Sequence, residues 1–260
     1  MPVGFYEFAD SLAETNRFNN LKRVVMKSLK VLALGLMMAT GVVNAAVTST
    51  LTAATDYNLR GISQNAKGPV LQASLDWAGD SGLYLGAFIS SVSFDGSKLG
   101  TEYFRLERDI YAGYKIKASD SVSIDFGGKF YTYNSNALNH GEVYTSLTYK
   151  SLVKASAYYS PNFINGNSAV SKPAYGAALD GTIGLHGNFS LLAHVGANTG
   201  DYWSQTTKSY YDYSAGVGYK MSNLNWALQY VDTARGTKVT ADEMNSSSRM
   251  VLSVTTKLPW

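Results

Sequence analysis

Three imidazoles bear on whether this 260-residue chain can do chemistry. A serine or other nucleophile needs a base and an orienting group within hydrogen-bond reach. His140 falls in a polar link and His186 at a tight turn. Only His194 sits inside an alternating segment, with Ser190 on its face. No G-x-S-x-G or H-E-x-x-H occurs. A hydrogen-bonded histidine in a polar interior is the simpler reading of His194. No enzymatic activity is expected, and no cofactor or metal is implied. The chain has no Cys, so neither disulfides nor thiol chemistry is available.

A second set of side chains is charged and falls on the polar faces of alternating segments. Its acids are Asp56, Asp76, Glu107, Asp109, Asp125, Glu142, Asp180 and Asp212. Its bases are Arg60, Arg105, Lys115, Lys129, Lys154, Lys220, Arg249 and Lys257. A ring of one sign would imply ion selectivity. A balanced set implies either a weakly selective wet channel or a salt-bridged plug, and both stay open. Arg105, Glu107 and Asp109 share one segment and are candidates for a constriction. The alternative is that these charges only satisfy one another. Asn58 joins Asp56 and Arg60 on the polar face of the first segment.

The elements that must position these groups are strands. Period-2 alternation recurs along the chain, as in "VLQASLDW", "VSIDFGGKFYTY" and "YYDYSAGVGYK". Twelve such segments are expected, the first reaching through "TSTLTAATDYNLRG" to Gly61. Their connections alternate between tight and long. The tight ones fall at 78–82, 118–121, 149–151, 186–188 and 221–223. The long, polar ones fall at 61–68, 94–102, 134–141, 160–172, 198–210 and 233–248. An up-and-down antiparallel sheet sorts these to opposite ends, which is the asymmetry of an outer-membrane β-barrel.

Alternation by itself does not say which face looks outward. The apolar faces carry almost no charge and end in aromatics. Trp77, Tyr114, Tyr149, Phe189, Tyr219, Trp226 and Trp260 fall beside the tight turns. Tyr57, Phe104, Phe130, Tyr159, Tyr175, Tyr213 and Tyr230 fall toward the long links. Two aromatic belts are what headgroup layers select. Closure also removes the sheet edges. The last segment, "SRMVLSVTTKLPW", alternates to the terminus, as it must if it pairs with the first. Leu258 and Trp260 are the expected C-terminal signal for the barrel-assembly machinery. Arg108 is the misfit, since it falls on the outward face. A lipid-facing Arg costs about 2–4 kcal/mol at mid-membrane and less near the interface. A bulge, a higher position on the strand or a protein contact would relieve it.

The start of the chain agrees with export. Met26-Lys27-Ser28-Leu29-Lys30 is basic, the apolar run from Val31 to Val43 follows, and "NAA" supplies small residues. This is the pattern of a secretory signal peptide over 26–45, with cleavage between Ala45 and Ala46. The run is too short to span a bilayer as a helix. Residues 1–25 are either an upstream extension, with Met26 the true start, or a long n-region. The barrel is then 46–260. Bases and acids nearly cancel in it, which offers no footprint for nucleic acid.

"ATDYNLRGISQ" (54–64) resembles the leading signature of the TorF-type porin family of proteobacterial outer-membrane proteins, also known as the Gcw_chp family. "LERDIYAGYK" (106–115) resembles that family's later acidic-x-acidic-x-aromatic-x-Gly-Tyr stretch, with Arg108 a departure. The resemblance implies an outer-membrane location and a pore role, and little about substrate.

The expectation is a channel for passive diffusion of small polar solutes, with outer-membrane lipid around it. A non-conducting structural or loop-mediated binding barrel is the alternative, with Tyr202 and Trp203 as loop candidates. An enzyme ranks third and a soluble β-sandwich fourth. Oligomeric state is open.

Overall fold

The computed structural model describes residues 45–94, 104–134, 136–163, 171–206, 209–235 and 245–259. The expected signal segment up to Asn44, and Trp260, lie outside the described residues. Ala45 and Ala46, at the expected cleavage site, begin the first strand and pair with Gly79 and Ala78.

Twelve long strands close into one antiparallel barrel. They are β1 (Ala45–Ala54), β4 (Val70–Gly79), β5 (Leu83–Phe94), β6 (Phe104–Lys117), β7 (Val122–Tyr133) and β8 (His140–Tyr149). Around the other half run β9 (Val153–Phe163), β10 (Lys172–Gly184), β11 (Phe189–Thr199), β12 (Tyr210–Met221), β13 (Leu224–Arg235) and β14 (Arg249–Pro259). Two short strands, β2 (Asn58–Leu59) and β3 (Ile62–Ser63), form a hairpin of their own. Every barrel strand pairs with its chain neighbour, and β14 closes on β1 with Ala53 opposite Val254. At this seam Thr52 and Thr255 share a hydroxyl hydrogen bond of 2.9 Å. The terminal strand is therefore ordered by pairing on both sides.

The up-and-down order puts the strand ends joined by tight turns at one end of the barrel and those joined by long links at the other. At the tight turn between β4 and β5, Gly82 has φ +99°. A Cβ there would sit 2.3 Å from the Lys115 carbonyl oxygen, so the turn needs glycine twice over.

The zigzag faces outward with its apolar side. Ile110 is 65% exposed, Val143 57% and Leu179 52%. On the opposite face Glu107 and Asp212 are buried. An apolar belt of this size has no place in water, and hydrocarbon is its complement. Tyr114, Tyr149, Phe189 and Tyr219 are exposed toward the tight turns, and Phe130, Tyr159, Tyr175, Tyr213 and Tyr230 toward the long links. Tyr57 is a correction. It belongs to the interior, because the chain leaves the barrel wall after Ala54.

Arg108 does face outward, near the long-link end of β6. Its Nη2 donates to the Tyr133 carbonyl at 3.1 Å, and β5 carries a register shift between Ser91 and Phe94 beside it. Height on the strand and this bond relieve the charge. Arg108→Leu is expected to change the unfolding free energy in lipid vesicles by only about 0–1 kcal/mol, the cost range for an interfacial Arg. A gain of several kcal/mol in urea titrations would place Arg108 deep in hydrocarbon instead.

Candidate functional site

The first long link does not stay outside the barrel. Sequence alternation carries the first strand to Gly61, but β1 ends at Ala54 and residues 58–63 turn into the lumen as the β2–β3 hairpin. This corrects the placement of Asn58 and Arg60 on strand one. The hairpin tip is Arg60-Gly61, with φ of 52° and 81°. Two positive φ values define the tight turn whose twist suits a two-residue hairpin. A Cβ on Gly61 would meet Thr233 Cγ2 at 2.3 Å and Asp212 Cβ at 2.7 Å, so the tip lies flat on the β12–β13 wall.

The hairpin is held from several sides. Arg249 on β14 pairs through Nε with Asp56. The same guanidinium donates to the Gly61 carbonyl at 3.1 Å and to Asn58 Oδ1 at 3.0 Å. Ser63 Oγ donates to the other Asp56 oxygen at 2.5 Å. Arg60 Nη2 reaches both Glu142 oxygens on β8 at 2.8 Å, and its Cζ lies 3.3 Å from the Tyr158 ring centroid on β9. Tyr210 Oη on β12 donates to the Arg60 carbonyl at 3.2 Å. Tyr57 Oη donates to Glu107 Oε1 on β6 at 2.8 Å. Burial lifts the Tyr57 phenol above its ordinary value, and the Glu107 and Asp109 charges add to this, so it remains a donor. Burial pulls the Arg60 guanidinium down, but Glu142 more than offsets this and the net shift is upward. Asp56 and Glu142 are both buried, so these are ion pairs in a low-dielectric interior rather than surface pairs.

The loop end is filled further by a short helix, α1 (Asp201–Thr206). Trp203 on it is buried against Phe163, Tyr202 and Tyr210. That leaves Trp203 packed over the barrel mouth, not offered to a partner. His140 stacks on Tyr131 at 4.5 Å and is likewise buried.

Below the hairpin the lumen opens. A cavity of about 1570 Å³ runs from the tight-turn end, at Asp120 and Ser121, up to Tyr57, Arg60, Lys129 and Glu142. Two of its acids, Asp76 and Asp125, are met by hydroxyls. Tyr111 Oη donates to Asp76, which also accepts from Ser74 Oγ at 2.7 Å. Tyr84 Oη donates to Asp125 at 2.7 Å and lies 2.7 Å from Tyr144 Oη. Lys115 and Lys257 face the same cavity and carry no ion pair among the described residues. Lys129 Nζ sits 3.7 Å from Asp109 and within 6 Å of the Phe88, Tyr111 and Tyr131 rings.

Across the barrel, His194 bridges Asp180 and Asp212 at 2.7 Å each. Asn198 Nδ2 donates to Asp212 at 2.7 Å, and Tyr158 Oη to Asn198 at 2.9 Å. Both His194 ring nitrogens are therefore taken, and neither is free to act as base to Ser190.

Of the remaining sequence candidates, Lys154 is exposed on β9 opposite Asp180. Arg105 is exposed at the loop end of β6, with its backbone N–H donating to Asn134 Oδ1, and so lies above Glu107 and Asp109 rather than in one constriction with them. Leu258 is 40% exposed near the end of β14. What sequence reasoning missed are the inward tyrosines 57, 84, 111, 144 and 158. A signal existed for most: Tyr111 shares the face of Glu107 and Asp109, and Tyr84 alternates with Leu83 and Leu85.

Fold and interior together define a transmembrane β-barrel whose lumen is a cavity at the tight-turn end and is crossed by its own first link at the other. A family model described as "Bacterial protein of unknown function (Gcw_chp)" matches residues 38–257, and the chain belongs to that family. No curated protein matches the sequence. Among solved structures the barrel is similar to "KdgM porin", at 11% identity over 80% of this chain and 98% of that one, with a TM-score of 0.50. The "KdgM porin in complex with disordered oligogalacturonate" is similar at 10% identity, 81% and 98% coverage, and TM-score 0.50. A structure described as "Unveiling the Mechanism Behind the in-meso Crystallization of Membrane Proteins" reaches 0.53 at 9% identity, covering 83% and 84%. At these identities the likeness is one of fold.

Proposed function

We propose that this chain is an outer-membrane channel of the TorF type through which small polar solutes diffuse. The observation that carries the reading is the cavity of about 1570 Å³, which carries charged and hydroxyl side chains on its wall from the tight-turn end to the charged layer under the hairpin. A barrel that only fills space has no use for a vestibule lined by charges on five strands. The solved porin described with a disordered oligogalacturonate is a barrel of similar fold that holds a polar solute. In this reading cleavage between Ala45 and Ala46 releases the barrel to the periplasm, the assembly machinery recognises Leu258 and Trp260, and outer-membrane lipid surrounds the apolar belt. Asp56, Asn58, Arg60, Glu107, Asp109, Asp125, Lys129, Glu142, Lys154, Asp180, Asp212 and Arg249 line the path or its constriction, and Arg105 its outer mouth.

The second reading is a non-conducting barrel, favoured by the hairpin contacts with β6, β8, β9, β12 and β14. Liposome swelling with sugars of graded size separates the two. Proteoliposomes of the refolded barrel are expected to swell in the smallest pentoses and to exclude disaccharides, since a twelve-strand lumen is narrow. No swelling with any solute, from the parent or from a barrel lacking the hairpin, would favour the structural reading.

A further inference from the structure

We infer that the β2–β3 hairpin is a displaceable plug, held shut by the Arg249–Asp56 and Arg60–Glu142 ion pairs, so that the segment "DYNLRGISQ" is the gate of the channel. This rests on the channel reading above and assigns its regulation.

Three observations carry it. First, the hairpin is a separate element. Among the described residues its strands pair only with each other, and its direct backbone bonds to neighbouring segments are Ser63 N–H to the Asn245 carbonyl at 2.9 Å and Ser93 N–H to the Gln64 carbonyl at 2.9 Å. The barrel ladder is complete without it. Second, it crosses the lumen. Tyr57 reaches β6, Arg60 reaches β8 and β9, Gly61 rests on β12 and β13, and Asp56 is bound from β14. The vestibule stops at Tyr57 and Arg60. Third, its latches are ion pairs and hydrogen bonds, to which Tyr57 and Ile62 add apolar contact with the Val92–Tyr131–Tyr133 and Ala174–Trp203–Tyr210 clusters. Ion pairs lose little on release, because water solvates both partners once the site floods. Asp56 and Arg60 leave with the hairpin, and Arg249 and Glu142 remain on the wall as charges lining an open path.

Single-channel recording in planar bilayers tests this with the full refolded barrel. Arg60→Ala with Glu142→Ala removes one latch without stranding a buried charge. It is expected to raise the open probability at least threefold. A second variant uses the absence of Cys. Arg60→Cys with Glu142→Cys places one thiol on the tip and one on the wall, and a short bifunctional methanethiosulfonate bridges the span that the ion pair now fills. Crosslinked, it is expected to show almost no openings, and dithiothreitol should restore them. Openings of parental size and frequency in the crosslinked tether would overturn the plug and leave the channel standing. A barrel with 58–63 deleted that gives no conductance would overturn the channel itself, and the gate with it. Heat-modifiable migration in gels reports that each variant has folded.

Discussion

Arg249→Ala is expected to let trypsin cut after Arg60 about a hundredfold faster or more than in the parent barrel. In the parent, the Arg60 side chain is 21% exposed, clamped on Glu142 and under Tyr158. Arg249 is the one cation bound to Asp56 among the described residues, and it also supports the Gly61 carbonyl and Asn58. Removing it leaves a buried carboxylate with Ser63 as its one donor among the described residues. Breaking a buried pair by deleting one partner costs about 3–5 kcal/mol. The cheapest escape is for the hairpin to swing out and hydrate Asp56, since β1 and β14 keep their ladder. Cleavage then follows the population of the released state, tenfold for every 1.4 kcal/mol. Adding Asp56→Ala to Arg249→Ala should recover part of the protection, because no charge is then stranded. Equal cleavage rates in parent and Arg249→Ala would mean that the pair does not hold the hairpin.

The second large effect concerns the outer surface. Leu179 is half exposed at the middle of β10, between Val195 on β11 and Ala155 on β9. Leu179→Arg is expected to destabilise the barrel in lipid vesicles by about 2–4 kcal/mol, the depth-dependent cost of a cation at the bilayer midplane. Gln72→Arg, on the cavity wall, should cost much less, since its charge enters water. Urea titrations followed by tryptophan fluorescence measure both. Similar costs for the two would mean that the apolar face is not in hydrocarbon. Such a result would remove the membrane reading and the channel with it.

The two outcomes probe different levels of the molecule, and they differ in how far the sequence foretold them. The Leu179 result rests on alternation, which is local. A side-chain period of two, tight turns at 118–121 and 221–223, and long links between them are properties of neighbours along the chain. They specify twelve strands, their up-and-down order and which residues share a face, while the aromatic belts and the near absence of charge on the apolar face give it its outward sense. Closure follows from the last strand's alternation, and the structure pairs it with β1 as that pattern requires.

The Arg249 result rests on contacts that no local pattern contains. Arg249 and Asp56 are 193 residues apart, and Arg60 and Glu142 are 82 apart. The charges were legible as an interior set, and their near balance already allowed a salt-bridged plug. Which acid meets which base was not, because the barrel's closure sets that distance. Alternation through Tyr57 and Leu59 also continues the β1 pattern unbroken, since a hairpin strand has the same period as a wall strand. Only the closed barrel, with a buried Glu107 for Tyr57 and a buried Glu142 for Arg60, makes the inward path of residues 55–64 more favourable than another turn of the wall. Period is fixed by the backbone of each segment; partners are fixed by the enclosure the segments make together.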